Sequence, residues 1–239
     1  MQCVILAGGL GTRMSYFTSD KIPKCLIPIN GLPFIDYQLQ WLSSHGVKDI
    51  VLCISHLKEQ VENYVQDGSK WNLSVSYVDD GYAPLGTGGA LRKALDEDKL
   101  QDSFMIIYGD SFLPIDFKPI WTYWHSYPFL PALMVVYKNN NKFDKSNADL
   151  DNGFVEYDKS NPNNFEYIDY GLSILNKSII ENYVPSNTKY NLSDVFTELS
   201  KGKILGGYEV YHRFYEIGSA SGLNEFEFWV GNNEQFNSP

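Results

Sequence analysis

The sequence predicts an α/β protein: a doubly wound, mostly parallel but mixed sheet with helices on both faces, followed by an appended α+β region. Three observations predict it. Short apolar runs bounded by glycine-rich or polar turns recur along the first 138 residues, the signature of strands buried on both faces. Amphipathic stretches of helical period separate them, and strands alternating with helices imply crossover connections and a largely parallel sheet. Beyond residue 139 this rhythm loosens, so the last hundred residues read as an addition to the same domain.

Residues 2–6 (QCVIL) form the first run and lead straight into a glycine-rich segment. Past Pro33, the residues Phe34, Ile35, Tyr37, Leu39, Trp41 and Leu42 recur at helical spacing until Gly46, a helix with a C-terminal glycine. Residues 50–54 read as a second buried strand, 57–65 as a helix and 73–78 as an alternating strand. A glycine-started helix over 87–95 follows, then a buried strand at 104–108, part of a helix at 120–125 and a strand at 132–137. Residues 139–152 are rich in Asn, Asp and Lys and are expected to form an exposed loop. After them come segments at 154–157 and 168–175, helical stretches near 178–183 and 192–200, and strands at 204–210 and 214–217.

Composition narrows the function classes. With 44% apolar and 20% charged residues, a chain of 239 residues can bury a sizeable single core. A net charge of −10 argues against nucleic-acid and anionic-membrane surfaces, because both partners are polyanions that need a basic patch. An anionic small molecule then requires local help from backbone N–H groups and a few placed cations. Cys3, Cys25 and Cys53 lack C-x-x-C spacing, and two of them sit inside apolar runs, so all three read as buried thiols. No basic leader follows Met1, and no apolar stretch nears the ~18 residues of a membrane span, giving a cytoplasmic expectation. There is no internal repeat.

Four segments have the composition to carry chemistry. Gly8-Gly-Leu-Gly-Thr-Arg13 directly follows the first strand. Its glycines let phosphates approach the backbone and Arg13 adds a planar cationic fork; the alternative is a plain glycine turn. A dinucleotide fingerprint is disfavoured because no helix opens at the loop, and a Walker A loop because no G-K-[ST] follows. In Asp20-Lys-Ile-Pro-Lys24, Pro23 holds its neighbourhood extended and presents Lys24 rigidly, either toward a phosphate or as a solvated surface lysine. Pro84-Leu-Gly-Thr-Gly-Gly-Ala90 opens a helix. There Gly86, Gly88 and Gly89 permit close approach of a ligand or simply start the helix, with Thr87 as a candidate cap. Tyr108-Gly-Asp-Ser111 ends a buried strand, where ligands of open α/β sheets bind, so Asp110 is a candidate divalent-metal ligand or a turn residue. Glu216, ending a short strand before Gly218, is its candidate partner. The histidines His45, His56, His125 and His212 show no metal spacing.

Taken in order, Leu6-Ala-Gly-Gly-Leu-Gly-Thr-Arg13, Pro23-Lys24, Leu85-Gly-Thr-Gly-Gly89 and Gly109-Asp110 resemble the sugar-1-phosphate nucleotidyltransferase (NDP-sugar pyrophosphorylase) family. The likeness continues through Val155-Glu-Tyr-Asp-Lys159, Tyr167-Ile-Asp-Tyr-Gly171 and Glu216-Ile-Gly-Ser219. It implies a Rossmann-like single domain over 1–239, with a nucleotide-binding part at 1–138 and an acceptor-binding part at 139–239. It further implies a nucleotide site of Leu6, Ala7, Gly8, Gly9, Gly11, Thr12, Arg13, Gly86, Thr87, Gly88 and Asp110. Arg13 and Lys24 would be catalytic, Asp110 and Glu216 would hold Mg²⁺, and Gly109, Glu156, Lys159 and Gly171 would line the acceptor pocket. The late metal position of the family is usually Asp, so Glu216 is a departure. The implied partners are a nucleoside triphosphate and a small phosphorylated acceptor, with no nucleic acid and no membrane; a homo-oligomer is left open.

The second glycine cluster looks most like members that use GTP with mannose- or heptose-1-phosphate, while cytidylyl- and uridylyltransferases share much of it. A nicotinamide-dependent oxidoreductase would need an acidic residue ending strand two, which instead ends Cys53-Ile-Ser-His56. A catalytically inactive nucleotide-binding regulatory module is the rival outside enzymology; the presence of Arg13, Lys24 and Asp110 stands against it.

Overall fold

The computed structural model describes residues 1–9, 21–81, 84–159, 165–233 and 236. Its centre is β1 (Gln2–Leu6), whose five residues are all buried. The strand pairs in parallel with β4 (Asp49–Ile54) on one side and β6 (Ser103–Tyr108) on the other, and β4 pairs in parallel with β5 (Ser74–Asp79). Because strand side chains alternate, Cys3 and Ile5 enter the core on one face while Val4 and Leu6 enter the core on the other. A strand apolar at every position therefore needs helices on both sides.

Those helices are present. α1 (Phe34–Ser44) buries Ile35, Leu39 and Leu42 on the first face, and Gly46, at φ +87°, takes the left-handed turn that lets the chain leave the helix. α2 (Lys58–Val65) adds Val61 and Val65, and α4 (Phe117–His125) adds Phe117, Ile120 and Trp124 to the same core. α3 (Gly86–Asp96) buries Ala90, Leu91 and Ala94 on the second face, beside α5 (Lys177–Tyr183) and α6 (Leu192–Lys201). Each fully buried Leu or Ile contributes on the order of 1.5–3 kcal/mol, so the amphipathic faces fix which side each helix takes.

Two short hairpin-like ladders complete the first half: β2 (Pro28–Ile29) with β3 (Leu32–Pro33), and β7 (Ser111–Phe112) with a late strand. The main sheet continues through β8 (Ala132–Lys138), β9 (Ala148–Asp151), β10 (Phe154–Tyr157), β11 (Tyr167–Asn176) and β12 (Leu205–Val210) in the order β5-β4-β1-β6-β11-β8-β12-β10-β9. β11 runs antiparallel to both β6 and β8, and β10 runs antiparallel to β12 and β9. The sheet is mixed, as expected, but its parallel share is smaller than expected: it is parallel from β5 to β6 and largely antiparallel beyond. A strand buried on both faces is apolar whichever way it runs, so direction is not written in its pattern.

Residues 140–145 are mostly exposed, as expected of the segment at 139–152, but the rest of it departs from an exposed loop. Asn139 and Ser146 are buried and joined by an Asn139 Nδ2 to Ser146 Oγ hydrogen bond of 3.1 Å, and residues from Ala148 enter the sheet as β9. Its Asn-rich composition supplies side chains that satisfy the turn's backbone instead of solvating it. The last helix, α7 (Ala220–Gly231), is capped by Ser219, whose hydroxyl accepts from the Gly222 amide at 3.1 Å. Its Phe226 packs edge-on against Phe34 and Tyr37 and lies against Phe112, forming a small third core. That core anchors β7 to its partner β13 (Tyr215–Glu216).

Cys3, Cys25 and Cys53 are free and buried, as expected. Among the described residues, no helix is long and apolar enough to cross a membrane. The parallel strands bring their carboxyl ends to one edge, so that Ala7, Ser55, Asp80 and Gly109 each begin the segment leaving β1, β4, β5 and β6 there.

Candidate active site

A cavity of about 480 Å³ lies at that edge, walled by residues far apart in the chain, among them Gly8, Lys24, Asp80, Thr87, Asp110 and Lys189. The loop after β1 is fixed at its root: the Ala7 amide donates to Cys53 O at 2.9 Å, and Ser55 Oγ donates to Gly8 O at 2.6 Å. Leu6, Ala7, Gly8 and Gly9 all border the cavity. Gly11, Thr12 and Arg13 lie outside the described residues.

On the opposite wall the turn after β6 is close to the first loop. The Gly109 amide donates to Leu6 O at 2.9 Å, and a Cβ at residue 109 would sit 2.8 Å from Ala7 Cα, so this crossing requires glycine. Asp110 follows, with its carbonyl accepting from the Ile217 amide at 2.9 Å. The β7–β13 ladder pairs Ser111 with Glu216, which brings a second carboxylate beside Asp110 from a position 106 residues later. Lys24 stands in a short 3₁₀ turn after extended Pro23 (φ −57°, ψ 140°) and donates through Nζ to Asp110 Oδ2 at 2.6 Å. A Cβ added at Gly218 would lie 2.8 Å from Glu216 Oε2 and 3.2 Å from Lys24 Nζ, so the ammonium and the two carboxylates crowd one point.

The second glycine cluster has a role the sequence did not convey. The Gly88 and Gly89 amides both donate to Tyr190 O, at 2.9 and 3.1 Å, and Tyr190 N donates to Leu85 O at 2.8 Å. Thr87 Oγ1 accepts from the Leu192 amide at 2.8 Å, while the cap position of α3 is Leu85, without a side-chain cap bond. Thr87 therefore staples a distant strap and is not the helix cap. A Cβ at Gly86 would sit 2.6 Å from Tyr190 O, and one at Gly89 2.8 Å from Thr188 O, so the glycines give clearance to residues 188–191. Gly86 and Thr87 still border the cavity, whereas Gly88 faces the strap.

The expected acceptor residues are not gathered together. Gly171, at φ +89° in a bulge of β11, faces Tyr108 and Ser111, which a Cβ there would meet at 3.5 and 3.8 Å, and Tyr108 lines the main cavity. Lys159 instead borders a separate cavity of about 420 Å³ with Tyr190, Asp194 and Glu198. Glu156 points outward from β10 and lines neither cavity.

Three residues of the site escaped sequence reasoning. Gln38, buried on α1, donates through Nε2 to both Tyr108 O (2.9 Å) and Ser111 O (2.7 Å), bracketing Gly109 and Asp110. Lys189 rides the strap into the cavity wall. Asp80, immediately after β5, is buried, and desolvation pushes its carboxyl up to about 6, with a Leu85 amide and Lys93 pulling the other way. Burial likewise raises the Cys25 thiol to about 12, so this cavity-lining sulfur is no nucleophile. Position at the carboxyl end of a parallel strand was the available signal for Asp80; nothing local marked the other two.

A family model described as Nucleotidyl transferase matches residues 2–212. The chain is 35% identical over 123 residues to a D-glycero-alpha-D-manno-heptose 1-phosphate guanylyltransferase of Campylobacter jejuni, a match that spans 50% of this chain and 52% of that relative. Other curated relatives, 33–34% identical over about half of this chain, bear the names UTP–glucose-1-phosphate uridylyltransferase, glucose-1-phosphate cytidylyltransferase and choline-phosphate cytidylyltransferase. Among solved structures, a glucose-1-phosphate thymidylyltransferase from Bacillus anthracis aligns over 100% of both chains with a TM-score of 0.82 at 20% identity, a likeness of fold. HddC from Yersinia pseudotuberculosis, complexed with GMP-PN, aligns over 94% of this chain and 96% of its own with a TM-score of 0.73 at 27% identity.

Proposed function

The chain belongs to the nucleotidyl transferase family, and on that premise we propose that it transfers a nucleoside monophosphate from a nucleoside triphosphate to a sugar 1-phosphate, releasing pyrophosphate. The observation that carries this reading is the single cavity shared by the first glycine loop, Lys24 and Asp110, with Glu216 brought alongside by the β7–β13 ladder. GTP with a heptose- or mannose-1-phosphate is the favoured pair, supported by the 35% identical guanylyltransferase relative. Cytidylyl or uridylyl transfer to another phosphorylated acceptor is the second reading, favoured by the names of the other relatives.

The reaction needs little from acid–base groups. An acceptor phosphate oxygen is already a nucleophile; it attacks the α-phosphorus in line, the bond to the bridging oxygen breaks, and pyrophosphate leaves. What the chain must supply is alignment and charge neutralisation. Gly8 and Gly9 give the phosphates close access to backbone, and Lys24, held rigid by Pro23 and Asp110, stands where charge accumulates. Arg13, next in the same loop sequence, is assigned the leaving pyrophosphate. Two carboxylates set beside one another across a ladder are a donor set suited to Mg²⁺, which is commonly bound by one or two carboxylates together with substrate phosphates. Asp110 and Glu216 would hold that ion, and it would supply neutralisation of the phosphate oxygens. Lys159 and Gly171, on the far side of the strap and at the β11 bulge, are the proposed acceptor contacts, with Glu156 at the margin.

Pyrophosphate release tests the reading, measured with GTP, CTP, UTP, dTTP and ATP against a panel of phosphorylated acceptors. Release with at least one pair is expected. Nucleotide binding without release from any pair would replace the enzyme with a regulatory binding module.

A further inference from the structure

The strap at residues 188–191 is a wall between two cavities. Lys189 borders the main cavity, with the glycine loop, Lys24 and Asp110, while the adjacent Tyr190 borders the one that Lys159 shares with Asp194 and Glu198. The strap is fastened to the start of α3 through its backbone: Tyr190 N donates to Leu85 O, the Gly88 and Gly89 amides donate to Tyr190 O, and the Leu192 amide donates to Thr87 Oγ1. None of these bonds uses the Lys189 side chain, so the fold holds residue 189 at this wall whatever side chain it carries.

Two described lysines border the main cavity, and they differ in one respect. Lys24 Nζ is paired with Asp110 at 2.6 Å. The Lys189 ammonium makes no ion pair or hydrogen bond with any described residue, in a chain of net charge −10 and with Asp194 and Glu198 on the other side of its own strap. The strap thus turns a cation away from nearby carboxylates and toward the cavity that holds Lys24 and Asp110.

Under the transferase reading, on which this inference rests, the acceptor's phosphate has a fixed place. In-line attack needs its oxygen roughly 3–3.5 Å from the α-phosphorus, so it shares the main cavity with the triphosphate. Two anions held that close repel, and a nearby cation offsets the repulsion. Arg13, Lys24 and the Mg²⁺ proposed for Asp110 and Glu216 are occupied with the triphosphate. Lys159, the lysine to which the family resemblance points, lines the other cavity, where two carboxylates oppose a phosphate.

We infer that Lys189, and not Lys159, holds the phosphate of the acceptor, with the rest of the acceptor extending across the strap toward Lys159. The ammonium keeps its protons throughout. The acceptor oxygen bonds to the α-phosphorus, the bond to the bridging oxygen breaks, and pyrophosphate leaves with the electron pair. Lys189 contributes charge and alignment alone.

Paired variants and a labelling footprint test this. With the nucleotide and acceptor that release most pyrophosphate, Lys189→Met should lower kcat/KM for the acceptor about tenfold or more, the scale of a hydrogen bond to a charged group, and leave the nucleotide KM within about twofold. Lys189→Arg should recover most of the loss, Lys159→Met should cost less than Lys189→Met, and Tm should not move in either Lys189 variant. Acetylation of the protein by acetic anhydride, read at Lys189 by peptide mass spectrometry, should slow with mannose 1-phosphate or inorganic phosphate and not with mannose. Normal acceptor kinetics in Lys189→Met overturn the inference, as do a larger loss in Lys159→Met, a rise in nucleotide KM alone, or labelling that neither phosphate slows. Absence of pyrophosphate release from every pair would sink the transferase reading, and the footprint would still decide whether Lys189 is an anion site: protection sustains it and unslowed labelling ends it.

Discussion

Replacing Gln38 by Met separates bracing of the fold from positioning of the site. The two side chains have nearly the same volume, so the substitution opens no cavity on α1. Two hydrogen bonds disappear, from Nε2 to Tyr108 O and Ser111 O at 2.9 and 2.7 Å. Each buried carbonyl left short of a donor costs about 1–3 kcal/mol. The same change removes Gln38 Oε1, which is itself buried and unpartnered and carries a penalty of the same size. Two penalties gained against one relieved leave a net loss of about 1–3 kcal/mol. The turn holding Gly109 and Asp110 would then keep its anchors at Leu6 O and Ile217 N but lose the clamp on its two flanks. Loosened by a fraction of an ångström, Asp110 should cost about tenfold in kcat, or ~1.4 kcal/mol, and the Mg²⁺ concentration for half-maximal rate should rise. Urea unfolding together with initial rates of pyrophosphate release across a Mg²⁺ series reads both effects. Wild-type kcat and wild-type metal dependence, alongside the stability loss, would refute the positioning role and leave Gln38 a core brace.

Arg13→Ala and Lys24→Gln should each lower kcat by about 10²-fold, the scale of one preorganised charge contact in a transition state; near-normal turnover in a folded variant refutes either assignment. Gly86→Ala should destabilise by more than the ~1–2 kcal/mol of a left-handed conformation alone, because φ is +74° and the new Cβ would meet Tyr190 O at 2.6 Å; an unchanged Tm would show that the strap yields freely. Asp80→Asn tests the buried carboxyl by pH. Folding raises it from 3.8 to about 6, so its contribution is fully present below about pH 4 and is lost as pH rises through 6. The variant should match the parent in stability near pH 4 and exceed it at pH 7.5 by up to about 2–3 kcal/mol, and a difference that does not vary with pH would contradict this. Chelation with EDTA should abolish pyrophosphate release and weaken triphosphate binding, with equal affinity in EDTA counting against the carboxylate pair as a metal site.

The legible parts of this protein are those in which one short segment carries its own reason. Gly8 and Gly9 after an apolar run, Lys24 behind Pro23 and Asp110 at a strand end each combine a backbone constraint with a chemical group, and the fold gathers them in one cavity. The pairing of Glu216 with that group was readable only as a strand before a glycine, and the β7–β13 register supplies the reason. Other features depend on what lies across the fold. Nothing around Gln38 announces that its amide will meet two carbonyls some seventy residues later. The second glycine cluster looks like a ligand loop because close approach is all that glycine encodes; whether a phosphate or residues 188–191 approach is decided elsewhere. The helix at Ala220–Gly231 went unread because aromatic residues occupy several of its faces, exposed Phe228 as well as buried Phe226, and blur the helical period.

On the proposed reading, the charge of the site bears on how an acidic protein would take polyanionic substrates. Across the described cavity wall, Lys24 and Lys189 are matched by Asp80 and Asp110, so the lining itself is close to neutral. Lys24 is already committed to Asp110 at 2.6 Å, and the chain as a whole carries −10. The described residues therefore supply no long-range attraction for a triphosphate, and at physiological salt any distant repulsion is screened beyond about 8 Å. Under the proposed reading, affinity would come from contacts made inside that distance: glycine-loop amides, Arg13, and a cation that Asp110 and Glu216 would hold with the phosphates. Neutral walls have a further consequence for the chemistry. Under the proposed reading, phosphates would displace Asp110 from Lys24 and leave the ammonium to the ligand, so the pair would act as a placeholder that keeps both groups ordered before binding. The cost of ordering them is met on folding, and binding then exchanges one set of charge contacts for another instead of building them from disordered side chains.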